Sequence, residues 1–502
     1  MRAESIGNVS DCDRAASLFP QSLNHRNSDP GAGIRQRTSE TPYNRSTVGK
    51  YFVQNFGCRA TQADGAALES QLAAKGLEVA DERAGADLVV LNTCTVTSTA
   101  DDDVRQTIRR VHRENPAARI LVTGCYAQRA PQELASLPGV EWVVGNSHKT
   151  QIAELVTLSP ASRLAPVGGD TAGAQAPAGA PASVGAQYHG NIHVGDIFAQ
   201  HDFLSAPVED AAGDRTRPNL KIQDGCNNRC SFCIIPFVRG RSRSLPADRV
   251  VEQVRGLAAR YREIVLSGIN LGRWGREPGS SLRLVGLIRR LLAETDVERL
   301  RLSSVEPMDF SDELLGLMAE SGRIAKHVHA PLQSGSDKVL RRMHRKYRPR
   351  HYADRVLKAR EWMPDAAIGA DVMVGFPGET DSEFEDSRQF ISSLPFTYLH
   401  VFTYSERPGT PAAEEAAQVP MRLRKERNRV LRELAAAKNL AFRESMVGRT
   451  LRAVTLHESG TALSGNYLKV ELAAPREANL LVELRIGGVS GGGLREAAAE
   501  LG

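Results

Sequence analysis

Gly225-Cys226-Asn227-Asn228-Arg229-Cys230-Ser231-Phe232-Cys233 sets three cysteines within nine residues, directly after an apolar run at 220–223. Three thiolates on one tight loop can hold three irons of a cubane cluster and leave the fourth iron without a protein ligand, open to a chelating substrate. A zinc knuckle and a redox thiol pair are the competing readings. Zinc takes a fourth close Cys or His, and the next residues, Ile234-Ile235-Pro236-Phe237, supply neither.

Outward from that loop the chain alternates. Short apolar runs at 220–223, 264–267, 299–303, 327–330, 371–374 and 399–403 are separated by helical patterns at about 247–260, 282–293, 311–321, 352–362 and 381–393. Six βα steps predict a partial or complete βα barrel over 214–445, with its chemistry where strands end and loops begin.

Upstream, buried-strand patterns at 51–56, 87–91 and 119–123 lie among helical ones, which predicts a parallel α/β sheet domain over 50–157. Each strand runs into a cysteine: FVQNFGC ends at Cys58, LVVLNTC at Cys94 and ILVTGC at Cys125. The carboxyl ends of parallel strands share one sheet edge, so these thiols are expected to meet in a second metal-cluster site. Three unrelated buried cysteines are the plainer alternative. Cys12 stands apart in the tail 1–49 and reads as a spare thiol.

Residues 158–213 begin with an Ala/Gly/Pro/Ser-rich run and read as a linker, with some strand character at 191–198. After 445, runs at 452–456, 467–472 and 480–486 with Gly-bearing turns predict a small β-barrel over 446–490, followed by a tail at 491–502. The fold class is therefore α/β, with a parallel sheet domain, a βα barrel and a small C-terminal β-barrel.

The 502 residues carry a net charge of only +5, but unevenly. Arg341–Arg360 holds nine Lys/Arg against the single acid Asp354, and Met421–Arg443 holds eight against two. Two such stretches suit a polyanion, and Arg341, Arg342, Arg345, Lys346, Arg424 and Lys425 are the candidate phosphate contacts. No apolar run approaches the ~18 residues that cross a bilayer, and the first fifty residues lack the apolar segment of an export signal. A cytoplasmic protein without a membrane role is expected, and grouped cysteines there bind metal or do chemistry more often than they pair.

CxxxCxxC at the start of a βα barrel resembles the radical S-adenosylmethionine superfamily. Joined to three upstream cysteines, it is similar to the methylthiotransferases that act on tRNA or on a ribosomal protein. The resemblance covers about 50–487. The segments CNNRCSFCIIPFVRGRSRS, RLSSVEP, HAPLQSGSDKVLRRMHRKY, VGFPGET and HVFTYSERPGTPAA most resemble the branch acting on N6-threonylcarbamoyladenosine, and the final domain resembles a TRAM domain. The resemblance implies two 4Fe-4S clusters. One, on Cys226, Cys230 and Cys233, would bind and cleave S-adenosylmethionine to a 5′-deoxyadenosyl radical that takes hydrogen from C2 of the modified adenine. The other, on Cys58, Cys94 and Cys125, would deliver the methylthio group.

It further implies cofactor contacts from Phe232, Gly268, Glu306, Gln333 and Gly375. Asp371 reads as a substrate contact or a strand-end cap, and His329 as a satisfied core histidine. The implied partners are the anticodon arm of tRNA and an electron donor such as flavodoxin or ferredoxin, with the protein a monomer. Two features depart from the family. Cys58-Arg59-Ala60-Thr61-Gln62 has Thr61 where the family usually has Asn, and residues 1–49 match nothing in it, so translation is expected to begin near Val48. The C-terminal barrel is balanced in charge, which leaves RNA affinity to the preceding basic helix. The alternatives are isopentenyladenosine tRNA or a ribosomal-protein aspartate as substrate, or a metal-binding RNA adaptor without catalysis.

Overall fold

The computed structural model describes residues 49–157, 190–200, 202–204, 216–458 and 460–498. The expected tail at 1–49 and the Ala/Gly/Pro-rich part of the linker lie almost wholly outside them.

Strands β1 (Lys50–Asn55), β2 (Glu78–Val79), β3 (Leu88–Thr93), β4 (Arg119–Gly124), β5 (Val140–Gly145) and β6 (Asn191–His193) form one parallel sheet in the order β2-β1-β3-β4-β5-β6. Its central strands are unbroken apolar runs because both faces are covered, one core gathering around Val89, Leu91 and Val122 and the other around Val90, Leu121 and Val144. The helix Ser98–Glu114 shows why the alternation works. Thr97 caps it by accepting from the Ala100 amide at 3.2 Å, and Val104, Ile108 and Val111 repeat at helical spacing on its buried face. Asn55 pairs with Asn92 and Asn92 with Thr123, so β1, β3 and β4 end level at one edge.

β6 corrects part of the expected linker 158–213: Asn191–His193 pairs in parallel with Trp142–Val144 of β5. Three residues are too few to show a full period, so only some strand character is legible at 191–198.

The central part has six parallel strands, β7 (Asn219–Asp224), β9 (Glu263–Gly268), β10 (Arg299–Leu302), β11 (His327–His329), β12 (Ala367–Val374) and β13 (Tyr398–Thr403), with the short antiparallel β8 (Arg243–Ser244) beside β7. They form two hydrogen-bonded sheets, β10-β9-β7-β8 and β11-β12-β13. A bridge from Leu300 to Ile324 and a hydrogen bond from the Val305 amide to the His329 carbonyl (3.0 Å) span the gap. The barrel is partial, with helices such as Ala247–Ala258 and Leu284–Glu294 burying Val250, Val254, Leu287 and Leu291 against the strands.

The helix Met421–Glu444 lies along β13, Asn428 donating to the Val401 carbonyl at 3.1 Å. It leads into a closed barrel ordered β14-β15-β16-β18-β17, made of β14 (Thr450–Thr455), β15 (Thr461–Ser464), β16 (Lys469–Glu471), β17 (Leu481–Val489) and β18 (Leu494–Glu496). β18 lies within the stretch expected to be a tail from 491. It closes the barrel by pairing with both β16 and β17, again as a strand too short to read from its pattern.

Two buried ionic knots join these parts. Glu263 of β9 takes Arg299 at 2.6 Å and Arg301 at 2.7 Å, and the same guanidiniums donate to the Arg452, Leu463, Ser464 and Gly465 carbonyls of the small barrel. Asp64, on the helix after Cys58, meets Lys149 at 2.9 Å, Arg239 at 3.1 Å and Lys221. Asp224 takes Lys221 and Arg239 at 3.0 Å each.

Candidate active site

The barrel strands open into a cavity of about 640 Å³ whose walls come from all three parts of the protein. Cys58 and Arg59 enter from the sheet domain, Cys226, Cys230 and Cys233 from the loop after β7, and Tyr467 from the turn between β15 and β16. Among the described residues these wall positions bring one member of the upstream cysteine set beside the whole downstream set.

The loop after β7 is shaped by Gly225, at φ +68°, where a Cβ would lie 2.0 Å from the Arg241 carbonyl oxygen. It is tied down by the Ser231 amide donating to the Met343 carbonyl (3.2 Å) and by the Ser231 hydroxyl donating to the Arg342 carbonyl (2.8 Å). Polar groups already point at the sulfurs. Asn270 Nδ2 donates to Cys226 Sγ at 3.7 Å and Arg345 Nη1 to Cys230 Sγ at 3.2 Å, while Arg345 also pairs with Glu306. Burial, and then the neighbouring Cys230 and Cys226, push the Cys233 thiol up to about 12. Three ionised thiols are costly together here until a cationic core compensates them.

The upstream set is built differently. Gly57, at φ +90°, lets the chain pass over Cys94; a Cβ there would sit 2.5 Å from that of Cys94. Burial and then the Cys125 and Cys58 charges raise the Cys94 thiol to about 12, so the three sulfurs act on one another. Asn146 Nδ2 lies 3.6 Å from Cys125 Sγ and donates to the Val238 carbonyl at 2.7 Å. Arg239, 2% exposed, stands beside them. Burial opposes its charge, but Cys125, Asp64, Asp224 and Cys58 outweigh that and hold the guanidinium protonated. Thr61, the departure from the family pattern, keeps its hydroxyl 3.5 Å from Cys58 Sγ and 3.4 Å from Arg239 Nη2.

Phe232, Gly268, Glu306 and Gln333 all line the cavity. Gln333 is held at φ +64°, and its Oε1 is buried without a partner among the described residues. Gly375 lies elsewhere. At φ +72° it has no room for a Cβ because Arg424 Cγ would be 2.3 Å away.

The charge reading needs correcting at three positions. Arg345 is buried against Cys230 and Glu306. Arg424 is buried, donating to the Val419, Tyr404 and Gln418 oxygens at 2.6–3.0 Å. Arg342 grips Glu383 with both terminal nitrogens at 2.9 Å. The Arg345 and Arg424 guanidiniums are spent inside the protein, and that of the half-buried Arg342 is committed to Glu383; Arg341, Lys346 and Lys425 are exposed.

His329 is likewise more than a core residue. It lines the cavity, with Ser304 Oγ 2.6 Å from its Nδ1 and Asp371 Oδ1 3.3 Å from its Nε2; His400 Nδ1 is 3.1 Å from the same Asp371 oxygen. Beside them His327 stacks on Tyr467 with centroids 4.4 Å apart, and Tyr398 OH is 2.6 Å from His327 Nε2. Burial, then Arg301, drives the His327 pKa far below its usual value, so this aromatic shelf is neutral at pH 7. The sequence carried no pattern for His400, Tyr398 or Tyr467. Arg239 was visible only as one basic residue in the run after the cysteine loop.

Residues 220–391 match the family described as the radical SAM superfamily, and residues 50–145 match uncharacterized protein family UPF0004. A protein of Aquifex aeolicus named threonylcarbamoyladenosine tRNA methylthiotransferase MtaB is 35% identical over 438 residues, 87% of this chain and 100% of that one. Its Bacillus subtilis namesake is 39% identical over 77% of this chain and 80% of its own. The chain belongs to the radical S-adenosylmethionine methylthiotransferase family. An Erythrobacter litoralis relative named tRNA-2-methylthio-N(6)-dimethylallyladenosine synthase is 34% identical over 80% of this chain and 85% of its own.

As a radical S-adenosylmethionine methylthiotransferase, the protein is an enzyme, a transferase that uses a 4Fe-4S cluster and S-adenosylmethionine. The cysteines fit that chemistry. Among the described residues only His329, Asp371 and His400 bring three ligand atoms within 4.8 Å of one another. A tetrahedral zinc with ~2.3 Å bonds needs its sulfurs about 3.8 Å apart. Among the described residues neither cysteine triad has its three sulfurs within 4.8 Å of one another, wider than a single tetrahedral zinc requires. No described helix is long and apolar enough to cross a membrane.

Proposed function

We propose that this enzyme places a methylthio group on C2 of N6-threonylcarbamoyladenosine beside the anticodon of tRNA, with a second 4Fe-4S cluster on Cys58, Cys94 and Cys125. The observation that carries the reading is the shared cavity: Cys58 stands in the same wall system as Cys226, Cys230 and Cys233. A sulfur carried on the upstream site could then reach a base activated at the downstream site without leaving the cavity. The relatives named for the threonylcarbamoyl substrate support the choice of base.

When bound, the downstream cluster and S-adenosylmethionine supply the one-electron chemistry needed to remove an unactivated aromatic hydrogen, which no acid–base side chain can do. The protein's own groups position and shield. Arg345 and Asn270 donate to two of the sulfurs, and the Arg345–Glu306 pair fixes that guanidinium. Gln333 and the backbone at Phe232 and Gly268 present polar atoms to the cofactor. The His327–Tyr398–Tyr467 shelf offers π-faces to an unstacked adenine, as proteins that read single-stranded RNA do. A neighbouring basic groove, lined by Arg241, Arg273, Arg276 and Lys346, shares Asn228 and Asn270 with the cavity and is the path for the anticodon-arm phosphates.

The enzyme acts as a cytoplasmic monomer supplied with electrons by flavodoxin or ferredoxin. Nucleoside mass spectrometry of tRNA from a deletion strain tests the substrate. Loss of 2-methylthio-N6-threonylcarbamoyladenosine, restored by the gene, is expected. Loss of the 2-methylthio-isopentenyl nucleoside instead would assign the other base.

A further inference from the structure

Three arginines line the cavity, Arg59, Arg301 and Arg345, and two are spoken for. Arg301 is committed to Glu263 and to the Ser464 and Gly465 carbonyls, and Arg345 to Glu306 and Cys230. Arg59 is half-buried, and its guanidinium has no hydrogen bond or ion pair among the described residues. It lines the same cavity as His327, Tyr398 and Tyr467, and its charge acts on both His327 and Tyr398. Behind that end of the cavity Arg217, Arg299 and Arg301 share the single carboxylate of Glu263, at 3.3, 2.6 and 2.7 Å. The acid on the cavity wall at this end, Asp371, is already engaged by His329 and His400. The shelf is therefore neutral and aromatic while the cavity around it carries surplus, partly desolvated positive charge.

A threonylcarbamoyl group extends from N6 of the adenine and ends in a carboxylate; an isopentenyl group in the same place is uncharged and offers no acceptor. Resting on the threonylcarbamoyladenosine reading above, we infer that Arg59 is the specificity residue of this enzyme, receiving the threonyl carboxylate while the base lies on His327, Tyr398 and Tyr467. A guanidinium matches a carboxylate with two parallel N–H donors. Against an isopentenyl group it would stay unpaired in a half-buried corner, so one residue both attracts the first substrate and penalises the second. Tyr467 supports the assignment from the other side. It is held at φ +64°, a strained position for a tyrosine, and that geometry sets its ring against His327.

The test uses the anaerobically reconstituted holoenzyme and anticodon stem-loops carrying threonylcarbamoyladenosine as the free acid or as its neutral methyl ester. Iron content and cluster spectra of wild type, Arg59→Gln and Arg59→Lys are compared first, since the residue follows Cys58. Wild type should favour the acid over the ester by about 10- to 100-fold in kcat/KM, the range for a charge-assisted contact. Arg59→Gln should lose that factor on the acid alone, so that the preference collapses, and Arg59→Lys should keep part of it. Equal losses on acid and ester, or an undiminished preference in Arg59→Gln, overturn the assignment. Equilibrium binding of both stem-loops separates this claim from the functional reading. A wild type that binds the acid more tightly through Arg59 but does not modify it would overturn the reaction and leave the carboxylate site standing. Equal binding of acid and ester by wild type would overturn the site.

Discussion

The two cysteine triads are assembled by opposite routes. Cys226, Cys230 and Cys233 belong to one loop, and what orients them is close in sequence or packed directly on it, as Gly225, Ser231 and Arg345 show. Cys58, Cys94 and Cys125 come to one sheet edge because β1, β3 and β4 end level, and their surroundings are finished by Asn146 and by Arg239 from the barrel. A local triad depends on its loop. A topological triad depends on the sheet and on the interface behind it, which is where the buried knot of Asp64, Asp224, Lys149, Lys221 and Arg239 lies. That knot holds more cations than acids, with Lys149, Lys221 and Arg239 against Asp64 and Asp224.

The largest effect separates the triads by function. Cys230→Ala should abolish both S-adenosylmethionine cleavage and methylthio transfer, a loss of at least about 10³-fold. Cys94→Ala should abolish transfer yet leave cleavage measurable as 5′-deoxyadenosine. Loss of cleavage in both variants would break the comparison, because it would make the upstream site a structural prop for the downstream one.

Next is Asp64→Ala, which leaves Lys149, Lys221 and Arg239 facing one another with Asp224 alone. Removing one partner of a buried ion cluster costs about 3–5 kcal/mol. A lower denaturant midpoint is expected, with iron lost from the upstream site before the downstream one. The pH dependence runs the same way. Burial would raise the Asp64 carboxyl, but Lys149, Lys221 and Arg239 hold it well below the usual range; Arg301 and Arg299 do the same for Glu263. Carboxyls lowered by folding stabilise the protein above their ordinary pKa near 4, and that stability is lost as pH falls below it. Calorimetry from pH 7 to 3 should show the melting temperature falling below about pH 4.5, and falling less in Asp64→Ala, which has one such carboxyl fewer.

The smallest effect concerns the basic stretches. Lys346→Ala and Lys425→Ala should weaken tRNA binding modestly, each reducing the salt-dependence slope by about 1. An unchanged slope in both would mean that the exposed lysines lie off the RNA path.

The same contrast explains what could be read in advance. The downstream triad and the six barrel strands were legible because spacing and hydrophobic runs are local properties. The upstream cysteines were legible as strand ends, one step removed. The strand Val140–Gly145 (the partner of the faintly legible β6), the three-residue strand β18 and the aromatic shelf were not. They depend on pairing with residues far away in the chain, as His327 with Tyr398 and Tyr467 does. Charge misled for the same reason. Arg342, Arg345 and Arg424 count as basic in any window, but Glu383, Glu306, Cys230 and the carbonyls of Tyr404 and Val419 consume them. A free cation is visible only by subtracting partners, and among the described arginines of the cavity wall that subtraction leaves Arg59.

The central claim is that both triads carry clusters at once. Iron and sulfide analysis after anaerobic reconstitution tests it directly, on wild type and on the two triple variants, Cys58→Ala/Cys94→Ala/Cys125→Ala and Cys226→Ala/Cys230→Ala/Cys233→Ala. About eight irons per wild-type chain and about four in each triple variant are expected. About four irons in wild type, unchanged when the upstream cysteines are removed, would contradict it.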